Sequence, residues 1–138
     1  MATETAQRAL EPLTVEECMA LLDRTYLGRL AYVADGRPRI VPLNFLYDRG
    51  TVLVRIGYGT LLDAVQGAHV VFEIDGVDPL SHTGWSVIVT GVAEEVWQPD
   101  QLDVVRDLPL RPWAPGERDH YVRIAPSAIT GRRIGRRT

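Results

Sequence analysis

Residues 27–56 read LGRLAYVADGRPRIVPLNFLYDRGTVLVRI, three β-rich runs separated by Asp35-Gly36 and by Asp48-Arg49-Gly50. Asp-Gly and other short glycine-containing turns favour the positive-φ backbone that joins antiparallel strands, so the stretch predicts three strands in two hairpins. Pro38 and Pro42 have no N–H to give to a ladder. The second strand is therefore expected to carry an edge, a bulge or an unpaired stretch, and to leave backbone groups for a ligand.

Toward the N-terminus, residues 1–13 are polar and without periodicity and read as a flexible arm. Thr14-x-x-Glu17 is a capping box, and Val15, Cys18, Met19 and Leu22 recur at helical spacing, which predicts a helix over about 14–24. Toward the C-terminus come the turn Gly57-Tyr58-Gly59, a short helix capped by Thr60 and stopped by Gly67, and the strand HVVFEID. The loop GVDPLSHTG leads into a long strand, WSVIVTGVAEEVW, in which Gly91 predicts a bulge or sharp bend. A helix over DQLDVVRDL, a loop PLRPWAPGERD and a strand HYVRIAP follow. Six strands with two or three short helices make a mainly β, mostly antiparallel barrel, with residues 14–138 as one domain.

The 138 residues and 46% apolar content suffice for a single core. No run approaches the roughly 20 apolar residues of a membrane helix, and the start lacks the apolar segment of a secretory signal, so the expectation is a cytoplasmic protein without a membrane partner. The net charge of -3 argues against nucleic acid as the partner. All fifteen basic residues are arginine, which removes lysine from every mechanism; an anion here is held by arginine, hydroxyl or backbone. Cys18 is the single cysteine and lies on an apolar helix face, the pattern of a buried, inert thiol.

Residues Arg55 to Thr60 are the candidate site. Arg55 near a strand end, two glycines and Thr60 at a helix start can hold a phosphate through guanidinium, hydroxyl and backbone N–H groups; the same residues also fit an ordinary loop with a surface arginine. A dinucleotide fingerprint is opposed by Leu62 at the third glycine position and by the flanking hairpins. His69, His82 and His120 have no ligand spacing, so no metal site is expected. No nucleophile elbow and no obvious paired carboxylates stand out, which leaves the chemistry to a cofactor if the protein is an enzyme. Arg132, Arg133, Arg136 and Arg137 read as a solvated basic tail.

Taken in order, LGRLAYVADGRPRIVPLNFLYD, VLVRIGYGTLLDAV, VVFEID, GWSVIVTGVAEEV and YVRIAPSAITGRRI resemble the small FMN-binding split-barrel proteins of the pyridoxamine 5'-phosphate oxidase-like family. The resemblance spans residues 14–134. It implies a six-stranded antiparallel split β-barrel and a homodimer with FMN between the subunits. It further implies that Arg55, Ile56 and Thr60 lie near the phosphate, that Pro42, Leu43 and Asn44 line the isoalloxazine, and that Trp85 and Ser86 complete the cleft. Trp113 would cover the flavin from the partner chain; Trp85 and Trp113 fit equally as core aromatics. Many relatives carry lysine directly after the helix-capping residue, where this chain has Leu61. Loss of one charge-assisted contact costs about 1.5–3 kcal/mol, or roughly tenfold to hundredfold in affinity. The implied activity is that of an FMN-dependent oxidoreductase on a small organic substrate. A deazaflavin-dependent reductase and a non-catalytic flavin- or haem-binding protein are the alternatives on the same fold.

Overall fold

A computed structural model describes residues 10–111 and 119–135. The elements are β1 (Leu10–Pro12), α1 (Val15–Arg24), β2 (Leu27–Ala34), β3 (Arg37–Asp48), β4 (Thr51–Ile56), α2 (Thr60–Val65), β5 (His69–Asp78), β6 (Thr83–Val96), α3 (Pro99–Arg106) and β7 (His120–Ile134). The strands run in the order β1-β7-β4-β3-β2-β5-β6, and β6 also pairs with β7, so six strands close into an antiparallel ring. Both hairpin turns of the opening stretch form as expected: Asp35, Gly36, Arg49 and Gly50 all have positive φ, between 53° and 76°. Arg123 pins the second turn by donating to Asp48 Oδ2 at 3.0 Å and to Thr51 Oγ1 at 2.8 Å.

The barrel interior is apolar. Leu30, Phe45, Val52, Val54, Phe72, Ile74, Val87, Val89 and Ile124 are buried there, each from one face of an alternating strand. A smaller cluster, Leu53, Val96, Val105, Leu110 and Tyr121, lies on the outside of β4 and β7, under α3. Helix α1 covers the β7 side: Leu13 and the buried thiol of Cys18 pack on Gly131, where a Cβ would come within 2.7 Å of the sulfur. Burial pushes the Cys18 thiol up, away from the reactive thiolate.

The capping box of α1 is complete, with Glu17 N donating to Thr14 Oγ1 at 3.1 Å and Thr14 N to Glu17 Oε1 at 3.0 Å. Thr14→Ala is expected to cost about 1 kcal/mol, and thermal unfolding would show a fall of about 3 °C. A midpoint unchanged within error would show that the cap contributes nothing.

Gly91 does mark a bulge. The register pairs Thr90 with Ala128 but Gly91 with Pro126, leaving Ser127 as the extra residue, whose Oγ donates to Thr90 O at 3.1 Å. The break also accommodates Pro126 in an interior strand.

Three local features differ from expectation. Leu10–Pro12, assigned to the arm, pair with Arg132–Ile134 as β1. Strand β7 continues through Ile134, so Arg132 and Arg133 belong to the sheet rather than to a solvated tail, while Arg136 and Arg137 lie outside the described residues. The loop expected over 76–84 is mostly hairpin: β5 and β6 pair as far as Asp78 and Thr83.

Candidate functional site

Side-chain alternation sorts the predicted site residues onto two faces. On β3, Val41, Leu43, Phe45 and Tyr47 turn to the barrel core, so Pro42 and Asn44 turn outward. On β4, Val52, Val54 and Ile56 turn inward and Arg55 outward. On β6, Trp85, Val87 and Val89 turn inward and Ser86 outward. Pro42, Asn44, Arg55 and Ser86 therefore share the outside of the barrel. Leu43, Ile56 and Trp85 pack on its inside, and Leu61 also packs against the core. The indole of Trp85 lies on Gly76, where a Cβ would be 2.7 Å from Nε1. Trp113 lies outside the described residues.

Strand β3 has twelve residues and β4 has six; only Phe45–Asp48 of β3 pair with β4, whereas Arg37–Asn44 pair with β2 alone among the described residues. Among the described residues, the opposite side of residues 37–43 has no strand partner and forms an open backbone edge. Pro38 and Pro42 sit on it, as expected of a strand that gives up part of its ladder. Asn44 begins where pairing to β4 stops, and Arg55 follows Val54, the partner of Phe45, so both lie at the end of the pairing where the edge opens. The Arg55 guanidinium sits 3.8 Å from Asp119 Oδ1 and over the Tyr121 ring, 5.4 Å from its centroid. Asn44 Nδ2 donates to Tyr26 O at 3.3 Å.

Thr60 is not the helix cap. Gly59, at φ 136°, takes the N-cap position, and no side chain caps α2, so Thr60 is the first helical residue with its side chain exposed. A residue with a Cβ rarely adopts that φ, so the cap position favours glycine. Below this turn, His120, opposite Ile56 in the register, is 2.7 Å from Glu95 Oε2 through Nδ1, and the Tyr58 ring lies 5.6 Å from the imidazole.

The outer face also carries a cluster absent from the sequence expectations. Glu73 and Asp75, two residues apart on β5 and hence on one face, both accept from Arg29 Nη1 of β2, at 3.3 and 2.9 Å. The expectation of no paired carboxylates is corrected by this pair. Their shared partner lies 44 and 46 positions away in sequence, although the E-x-D spacing on a strand was a readable signal. Burial, then the neighbouring Asp75, raise the Glu73 carboxyl from 4.5 to about 7, with Arg29 opposing.

Because the folded value lies above the unfolded one, this contribution to stability is complete below about pH 4.5 and lost as pH rises through about 7. Glu73→Gln should match the wild type at about pH 4.5 and exceed it by about 1–2 kcal/mol at about pH 8.5 in urea unfolding, the full linkage value being reduced by partial exposure. An equal difference at both pH values would rule out this role of Glu73.

With this architecture, residues 14–133 match the family model for pyridoxamine 5'-phosphate oxidase, and the chain belongs to that family. Among similar structures is the FAD binding protein of Mycobacterium smegmatis, 38% identical, with a TM-score of 0.77 over 91% of this chain and 98% of that one. A Corynebacterium glutamicum protein, whose proposed assignment is pyridoxamine 5'-phosphate oxidase, is 32% identical with a TM-score of 0.80, over 92% and 99% of the two chains. An uncharacterized protein of Mycobacterium tuberculosis is 35% identical over 139 residues, 96% of this chain and 91% of its own.

Proposed function

We propose that the protein is a flavin-dependent oxidoreductase that binds FMN, or its adenylylated form FAD, on the outer face between two copies of the chain and acts on a small organic substrate. The observation that carries this reading is the meeting of a backbone edge without a strand partner among the described residues, residues 37–43, with the one basic side chain of the adjacent β4–α2 segment, Arg55.

The residues fit a flavin nucleotide. An isoalloxazine ring presents N–H and C=O groups at its rim and apolar faces, and an open strand edge beside Pro42 offers backbone partners with little polar competition. A phosphate needs a cation and hydrogen-bond donors, which Arg55 and the exposed Thr60 hydroxyl supply. Leu61, packed on the core, adds no charge, so the protein holds the phosphate with less than a two-cation grip. The bound flavin would supply the electron transfer; the chain would bind and orient it and exclude water. The M. smegmatis relative's FAD contains the same flavin and first phosphate as FMN, so the same residues serve either form.

A second copy supplies what a lone barrel lacks. Ile40 (66% exposed) lies on the open edge of β3 and Val33 (60%) on the neighbouring β2, both on the outer face, and the partly exposed Ile88 lies on the same face two strands further, on β6. Proteins seldom leave such an edge uncovered. None of the described helices is long and apolar enough to cross a membrane, and we place the protein in the cytoplasm.

Titration of the protein, stripped of bound small molecules, with FMN, FAD and riboflavin tests the reading. Both nucleotides are expected to bind, with riboflavin at least about tenfold weaker because it lacks the phosphate. Absence of binding by any flavin at high micromolar concentration would refute it, and tighter binding of a deazaflavin cofactor in the same titration would replace it.

A further inference from the structure

The Arg29–Glu73–Asp75 cluster stands in the middle of the face proposed to pair, with Pro42 of β3 opposite Arg29 on one side and Ile88 and Ser86 of β6 opposite Glu73 and Asp75 on the other. We propose that pairing of two copies through this face takes up protons, at most one per chain, held by Glu73 beside Asp75. The proton linkage rests on the dimer proposed above and adds its regulation by pH.

Charge and water together favour the uptake. One guanidinium faces two carboxylates, so the ionised cluster carries a net single negative charge. In the lone chain these side chains are still 28–42% exposed, and water offsets that charge. A two-fold dimer brings the same patch of both chains into one interface, so two uncompensated negative charges enter the same covered region. Covering the patch also removes water, which disfavours the ionised carboxyl. A proton on one carboxylate answers both costs and leaves a neutral set: guanidinium, carboxylate and carboxylic acid.

Glu73 is the better holder of that proton. Asp75 has the shorter bond to Arg29, 2.9 against 3.3 Å, and Glu73 in the lone chain is already the carboxyl that burial and its neighbour push up. The groups around it leave no other compensating charge nearby among the described residues. Arg29 faces it from β2, Asp75 from its own strand, and uncharged Ile88, Ser86, Pro42 and Asn44 from β6 and β3. Arg132, opposite Ser86 on β7, is exposed and lies one strand further away, and His69 is four residues along β5 at its far end.

Sedimentation equilibrium of the purified protein from about pH 6 to 8.5, at constant ionic strength, tests the proposal. The dimer dissociation constant of the wild type is expected to rise roughly tenfold to hundredfold across that range. Glu73→Gln should remain dimeric with a flat profile. Asp75→Asn, which leaves Arg29 to Glu73 alone, should also be nearly flat, and circular dichroism checks that both variants fold. A wild-type dimer whose dissociation does not vary with pH would overturn the proton linkage while leaving the dimer standing, as would Glu73→Gln retaining the wild-type slope. A monomer at every pH would remove the dimer and the linkage together.

Discussion

Gly91→Ala is expected to destabilise the protein by about 3–5 kcal/mol, a large share of the roughly 5–15 kcal/mol typical of a domain. An added Cβ would run into the carbonyl oxygen of Ala125, with the carbonyl carbon at 2.8 Å and Pro126 Cα at 3.2 Å. All three obstacles are backbone, so no rotamer change relieves the contact. Relief requires β6 and β7 to separate at their bulge, and that pair closes the barrel. A midpoint fall on the order of 10 °C or more is expected in thermal unfolding. Gly50→Ala provides the contrast: Gly50 sits at φ 76° with nothing within 4 Å of a Cβ, so only the left-handed backbone cost of about 1–2 kcal/mol applies. If Gly91→Ala proved no worse than Gly50→Ala, the tight approach of β6 to β7 would be wrong.

The second large effect concerns ligand rather than fold. Arg55→Ala should weaken FMN and FAD roughly tenfold to hundredfold, the cost of one charge-assisted contact, while leaving riboflavin nearly unchanged. Arg55→Lys should fall between, since an ammonium keeps the charge but not the paired donors of the guanidinium. Arg55 also touches Asp119 and the Tyr121 ring, so the variant loses some stability. The ratio of nucleotide to riboflavin affinity separates the two effects, because a merely loosened barrel weakens all three ligands alike. Equal weakening of all three would remove Arg55 from the phosphate.

Much of the fold was legible because its signals are local. Asp35-Gly36 and Arg49-Gly50 demanded positive φ, Thr14 and Glu17 are the two halves of one cap, and Gly91 interrupted a long β-rich run. The missed elements depend on partners far along the chain. Residues 127–134, SAITGRRI, carry no clean alternation, yet pairing to β6 and β1 makes them strand. Leu10–Pro12 is a strand only because Ile134 lies beside it.

The geometry of the candidate site was legible in part for the same reason. Pro38 and Pro42 signalled an open strand through their missing N–H groups alone, and among the described residues, 37–43 of β3 have no strand partner on the β4 side. Which side chains of each quoted block face outward follows from the strands' alternation, and it separates Pro42 and Asn44 from Leu43, and Ser86 from Trp85. The Arg29 cluster was hidden because three residues on two strands had to be brought together, and the His120–Glu95 contact because 25 positions intervene.

The proposed function turns on place: a flavin nucleotide on the outer face, its phosphate at Arg55 and its ring along the edge of β3. A crystal structure of the protein with FMN tests this most directly. Two chains with their outer faces together are expected, with a phosphate oxygen within hydrogen-bond distance of the Arg55 guanidinium and the isoalloxazine against Pro42–Asn44. A flavin bound elsewhere, or one whose phosphate lies away from Arg55, would contradict it.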